Sequence, residues 1–326
     1  MKKIIKNKWL LGLLFAIILS IPQISKANDN FDSDKHSFMY GIGLNQNQID
    51  QVKNKLELTE DINMASVNGA DCEKYLGYSA NDYDMISSVS VKKLPEGSGI
   101  KVDILTPENI TSITESQYTN AAITSGISDA EIKVASPTKV TGESALVGVY
   151  KAFEMTGEKV DTQSTQTAQE ELGTLKKISD ENEGNGSFDK DKLDQAVAEV
   201  KQNLKEYKDQ NGKPADSNQI QIFIQDALKN VNMGDILSNN NIQILVNYFE
   251  KYQESPAIDS KNVEENLKKF AGDLTEKGKK FYEDNKDDIN KVGNDVKESG
   301  LWDKIVQFFK DLFSSFTNSN NDSSNN

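Results

Sequence analysis

The feature that most restricts what this chain can become is a change of hydrophobic period near Gly157. Before it, apolar and polar residues alternate in short runs. Val89 and Val91 flank Ser90; Ile100, Val102 and Ile104 flank Lys101 and Asp103; Ile132 and Val134 flank Lys133. A period of two sends alternate side chains to opposite faces of a strand. After Gly157 the alternation stops, and apolar residues recur at helical spacing among Asn, Gln, Lys, Asp and Glu. The chain is therefore expected to fold as α+β: an N-terminal ferredoxin-like α+β head, then an all-α, partly extended C-terminal region. A hydrophobic content of 36% over 326 residues suits two modest cores better than one large one.

Within the head, a weak strand at 64–67 and a helix at 71–76 precede the first alternating run. Pro95-Glu96-Gly97-Ser98-Gly99 separates that run, at 89–91, from the one at 100–104 and predicts a β-hairpin. Thr106-Pro107-Glu108 carries a helix-start signature. Thr114-x-x-Gln117 is a capping box. The strand at 132–134 follows, and residues 145–153 predict a buried helix. This order is that of a split β-α-β sandwich. The helical half predicts helices at 165–178, 190–207, 218–230, 242–252 and 262–296, broken at Gly184-Asn185-Gly186, Asn211-Gly212-Lys213-Pro214, Asn239-Asn240-Asn241 and Pro256.

The ends of the chain give an address. Residues 1–27 read as a signal peptide: Lys2, Lys3, Lys6 and Lys8 precede an apolar stretch from Leu10 to Ile21, and Ser25-Lys26-Ala27 supplies the small residues of a cleavage site. Its apolar run is shorter than the roughly 20 residues of a spanning helix. Removing it takes five lysines and no acid from a chain at −14, leaving −19. The expected organisation is signal peptide 1–27, flexible segment 28–44, α+β domain 45–157, helical region 158–300, amphipathic helix 301–316 and disordered tail 317–326. Export into the extracellular space or cell envelope is expected, with no covalent wall or lipid anchor.

Composition excludes several function classes. One Cys cannot close an internal disulfide, and one Cys with one His cannot build a zinc cluster. An acidic chain without a single Arg is ill suited to gripping phosphate backbones, so no nucleic-acid partner is expected. His36, the only imidazole, falls in the segment read as flexible, where it cannot serve as a positioned base. Gly142-Glu143-Ser144-Ala145 lacks the second Gly of a nucleophile elbow, and Ser144 reads as part of a helix-start turn. Cys72 reads as a buried, inert thiol. Gly41-Ile42-Gly43 is too short for a phosphate loop. Centring a calcium loop on Gly186 puts Glu181, Glu183, Asn185 and Asp189 at ligand positions, but Lys192 falls where a bidentate Glu is needed. No catalytic residue, cofactor or metal site is expected.

The run Asp84-Met85-Ile86-Ser87-Ser88-Val89-Ser90-Val91 carries a resemblance. It continues through Gly97-Ser98-Gly99-Ile100-Lys101-Val102, Thr106-Pro107-Glu108-Asn109-Ile110-Thr111 and Tyr118-Thr119-Asn120-Ala121-Ala122-Ile123-Thr124. Ala135-Ser136-Pro137 and Val140-Thr141-Gly142-Glu143-Ser144-Ala145-Leu146 complete it. These residues resemble the YpuA-like family of exported proteins from low-GC Gram-positive bacteria, a domain-of-unknown-function family. The resemblance implies an extracytoplasmic location, an α+β head and a helical C-terminal part. It implies no activity and no site residues.

The strongest candidate contact surface lies near the C-terminus. Leu301, Trp302, Ile305, Val306, Phe309, Leu312, Phe313 and Phe316 recur at helical spacing, with Asp303, Lys304, Gln307, Lys310 and Asp311 opposite. Such a stripe can dock on the rest of the chain, on an envelope protein or on a membrane surface. The leading expectation is a secreted, non-enzymatic, envelope-associated protein that binds or scaffolds through its head and helical arm. The alternatives are an extracellular carboxylate-based hydrolase and a protein acting on membranes through its last helix.

Overall fold

The computed structural model describes residues 31–59 and 61–270. The head contains β1 (Ser37–Gly41), α1 (Gln46–Lys55), β2 (Asn63–Val67), α2 (Gly69–Leu76), β3 (Ser88–Lys93), β4 (Ile100–Ile104), α3 (Glu115–Thr124), β5 (Ala130–Ala135) and α4 (Glu143–Met155). The helical half adds α5 (Thr162–Glu181), α6 (Lys190–Asn211), α7 (Ser217–Asn230) and α8 (Asn239–Tyr252). A last helix, α9, occupies 261–270 of the described residues. The α+β class and the order of strands before helices hold.

Local signals place most of these elements. Asn45 with Gln48, Asn68 with Asp71, Thr114 with Gln117 and Ser238 with Asn241 form reciprocal capping boxes at the starts of α1, α2, α3 and α8. Each satisfies two backbone or cap donors that a bare helix end leaves orphaned. The Thr106-Pro107 signature opens a single turn rather than a helix. Asn109 Nδ2 donates to the Ser136 carbonyl, and the Val140 amide donates to the Asn109 carbonyl. These bonds pull the chain into a bridge between Ile110 and Val140.

The five strands lie in the order β2-β1-β3-β5-β4. β1 and β2 are parallel neighbours, as are β4 and β5, and β3 runs antiparallel between β1 and β5. This arrangement corrects three expectations. The segment 28–44, read as flexible, contributes β1 to the sheet interior. β3 and β4 form no hairpin, because β5 lies between them. The β-α-β units β1-α1-β2 and β4-α3-β5 are not split by an intervening strand. The Gly97 and Gly99 loop is instead clamped to the start of β5: Gly99 donates to Asp129 Oδ1, and Leu94 donates to the Asp129 carbonyl.

One sheet face packs Met39, Val89, Val91, Ile132 and Val134 against α4 and α3. Gly148 lets α4 sit close, since a Cβ there would lie 2.7 Å from Val89 Cγ1. The other face is covered in part by α1, where Phe38 meets Ile49, Val52 and Leu56. A second core fills the helical half from α5 to α9. Helix α5 belongs to both cores: Ala168 and Leu172 enter the head, while Leu175 and Ile178 enter the helical half.

Candidate functional site

Where α3, α5, α6 and α8 converge, the chain buries a cluster of polar side chains. Asn120 and Thr124 come from one face of α3, Glu171 from α5, Asp194 and Lys201 from two turns of α6, and Tyr248 and Tyr252 from one face of α8. Lys201 Nζ donates to Glu171 Oε2 at 2.6 Å, to Thr124 Oγ1 at 2.8 Å and to Asn120 Oδ1 at 3.3 Å. Tyr248 donates its hydroxyl to the same Glu171 oxygen at 2.6 Å. The ring of Tyr252 lies 5.5 Å from the ammonium. The Asn120 amide nitrogen donates to the Asp194 backbone carbonyl at 3.4 Å.

Solvent does not reach this cluster: the Lys201 and Glu171 side chains are 0% and 1% exposed. Glu171 Oε1 and Asp194 Oδ1 are buried with no hydrogen-bond partner. One cation therefore faces two carboxyl groups in a medium that disfavours charge. Burial pushes the Lys201 ammonium below its ordinary range, although Glu171 opposes this. Burial pushes the Asp194 carboxyl well above its ordinary range, reinforced by Asp191 and Glu171. Both shifts favour the neutral forms.

A second feature opens to solvent. A cleft of about 460 Å³ lies between the head and α9, lined by Lys93, Glu96, Lys159, Glu265, Asn266 and Lys269 among others. Lys93 is ion-paired with Glu158 in its lining. Asn266 is buried; its Nδ2 donates to the Asn262 carbonyl at 2.8 Å, while its Oδ1 has no partner. The lining is polar and carries both signs of charge, which suits a polar ligand more than an apolar one.

The ligand position usual in open α/β sheets, beyond the carboxyl ends of parallel strands, is filled by the chain itself. The segment after α2 folds over the end of β2. Its Asp82 accepts from the Gly69 amide at 2.8 Å, and a Cβ on Gly69 would lie 2.0 Å from the Ala80 carbonyl oxygen. Among the described residues, no group of three or more His, Cys, Asp and Glu could hold a metal ion, and no helix is long and apolar enough to cross a membrane.

A family model described as protein of unknown function (DUF1002) matches residues 40–270. The chain belongs to that family. It is also similar to the uncharacterized protein YpuA of Bacillus subtilis (strain 168), with 28% identity over 318 residues, 94% of this chain and 100% of that one. No solved structure matches.

Within this DUF1002 fold the residues singled out by sequence take structural positions. His36 stands at the head of β1, not in a loose tail; its Nδ1 lies 3.2 Å from Ser90 Oγ, and burial depresses its basicity. Ser144 is buried at the start of α4, 2.6 Å from Ser87 Oγ, and Ser87 caps that helix through the Ala145 amide. Cys72 is buried, and burial raises its thiol. Asp189, offered as a calcium ligand, caps α6 through the amides of Asp191 and Lys192. Leu301, Trp302, Ile305, Val306, Phe309, Leu312, Phe313 and Phe316 lie outside the described residues, as do residues 1–27, read as a signal peptide, and 317–326, read as a tail. Sequence reasoning missed Glu171, Asp194 and Lys201. The available signal was a lysine and an aspartate set within the apolar stripe of Leu193, Val197, Val200 and Leu204.

Proposed function

We propose that this protein is an exported, envelope-associated binding and scaffolding protein without catalytic activity, and that it holds a polar ligand or partner segment in the cleft between its head and α9. The observation that carries this reading is the contrast between the two polar features. The buried cluster around Lys201 is sealed from solvent, so it can join the head to the helices but cannot meet a substrate. The open feature, the 460 Å³ cleft, is lined by lysine and glutamate side chains of both charges. Amide and charged groups of this kind bind polar molecules by directed hydrogen bonds. The signal-like residues 1–27 supply the route of export, and the stripe at 301–316 supplies a tether to the envelope.

The test has three parts. Export requires that the protein recovered from the cell exterior begin at Asn28; retention of Met1 removes that part of the reading. The tether requires that a chain truncated before Leu301 no longer fractionates with the envelope while its melting is unchanged. Trp302 is the one tryptophan left after removal of Trp9 with the leader, so its emission should shift to the blue on adding envelope material. For the cleft, Lys159→Glu with Lys269→Glu should abolish retention of the ligand-bearing envelope fraction by immobilised protein. Unchanged retention rules the cleft out.

A further inference from the structure

We propose that Lys201 and Asn120 become joined by an amide bond between their side chains, formed by the folded protein itself at the Glu171 carboxylate. Three observations carry this. The Lys201 nitrogen lies 3.3 Å from the Asn120 amide oxygen and 2.6 Å from Glu171 Oε2. All three side chains are sealed from solvent. The Asn120 amide nitrogen is held on the Asp194 backbone carbonyl at 3.4 Å, which turns the amide oxygen toward the amine, one bond from the carbon to be attacked.

The chemistry is aminolysis of a carboxamide and needs no co-reactant. Glu171 takes a proton from the Lys201 ammonium, a transfer that burial favours because it replaces two sealed charges by two neutral groups. The freed amine attacks Asn120 Cγ, forming the new C–N bond. The bond from Cγ to Nδ2 then breaks, and that nitrogen leaves as ammonia. Of the five hydrogens on the ammonium and the carboxamide, one stays on the new amide, three leave in ammonia and one stays on Glu171. Holding amine and amide in contact removes the entropy cost that makes this reaction slow in water, and the Glu171 carboxyl bonded to the amine takes up its proton. The depressed basicity of Lys201 works in the same direction. The product ties α3 of the head to α6 of the helical half, where a scaffold under load gains from a covalent link.

Intact mass of the purified full chain under denaturing conditions reads the result. The wild type should be lighter than its sequence by one ammonia. Digestion at lysine should leave Lys201 uncut and yield peptide 193–205 joined to peptide 102–133, which contains Asn120. Asn120→Ala and Glu171→Gln should each return the mass to that of the sequence and release both peptides. Should either variant fail to fold, the wild-type peptide pair decides alone. A wild type at full sequence mass with Lys201 cleaved overturns the proposal. So does an ammonia loss confined to Asn68-Gly69, Asn185-Gly186 or Asn211-Gly212, where ring closure on the backbone gives the same mass without joining two peptides.

Discussion

Glu171 of α5 and Lys201 of α6 meet at 2.6 Å with both side chains sealed from water, at the seam where head and helical half share one helix. Sealed charges of this kind are costly to strand singly. Lys201→Met should therefore remove both the buried partner of Glu171 and the link to Asn120, leaving the Glu171 carboxyl to Tyr248 and Thr124 alone, and should destabilise the protein by about 3–5 kcal/mol. Combining it with Glu171→Leu should recover part of that loss. Chemical denaturation of both variants checks this; a single variant as stable as wild type contradicts it.

Stability should fall as pH rises through the range between the ordinary glutamate value and about 7. Burial, only partly offset by the Asn230 amide, raises the Glu199 carboxyl to about 7. The folded state therefore binds a proton that the unfolded chain releases at lower pH. The stabilisation is complete below the unfolded pKa and is lost as pH passes the folded one. The raised Asp194 carboxyl adds to the slope in the same direction. The Glu199 share is on the order of 2–3 kcal/mol. Thermal melts at pH 5 and pH 8 should differ by less in Glu199→Gln; an undiminished difference excludes Glu199 as a source.

Ile132 should be the more sensitive of two sheet positions that sequence alone treats alike. It is fully buried in β5, an interior strand, whereas Val102 is partly exposed on β4, at the sheet edge. Ile132→Ala should cost about 2–5 kcal/mol, and Val102→Ala distinctly less. Equal midpoint shifts in urea would contradict the placement of β5 between β3 and β4.

Gly148 should tolerate no side chain. A methyl group there would press on Val89 and Met39, lifting α4 from the sheet. Gly148→Ala should cost about 1–3 kcal/mol despite alanine's better helix propensity. A stabilised variant would show that the helix stands further from the sheet.

Much of the secondary structure was legible because its causes are local. The capping box at Thr114 and Gln117 needs four consecutive residues, and the breaks at Gly212 and Pro256 need only themselves. Strand partners were not legible. The alternation in 89–91 and 100–104 fixes which side chains face together, but the Asp129 clamp and the β4-α3-β5 crossover put β5 between those strands. β1 was missed for a related reason: Ser37–Gly41 is short and lacks alternation with charged residues, and it becomes a strand through partners on both sides.

The sequence by itself determined the change from strand to helix near Gly157, the positions of most helices and the exclusion of zinc clusters and internal disulfides. These follow from spacing and inventory, which a chain carries before it folds. Tertiary structure alone decided the strand order and the meeting of Asn120, Glu171 and Lys201, residues far apart in sequence. Their contact depends on where α3, α5 and α6 cross. A lysine on an apolar stripe signals only that it must find a partner, and the packing of four helices supplied it.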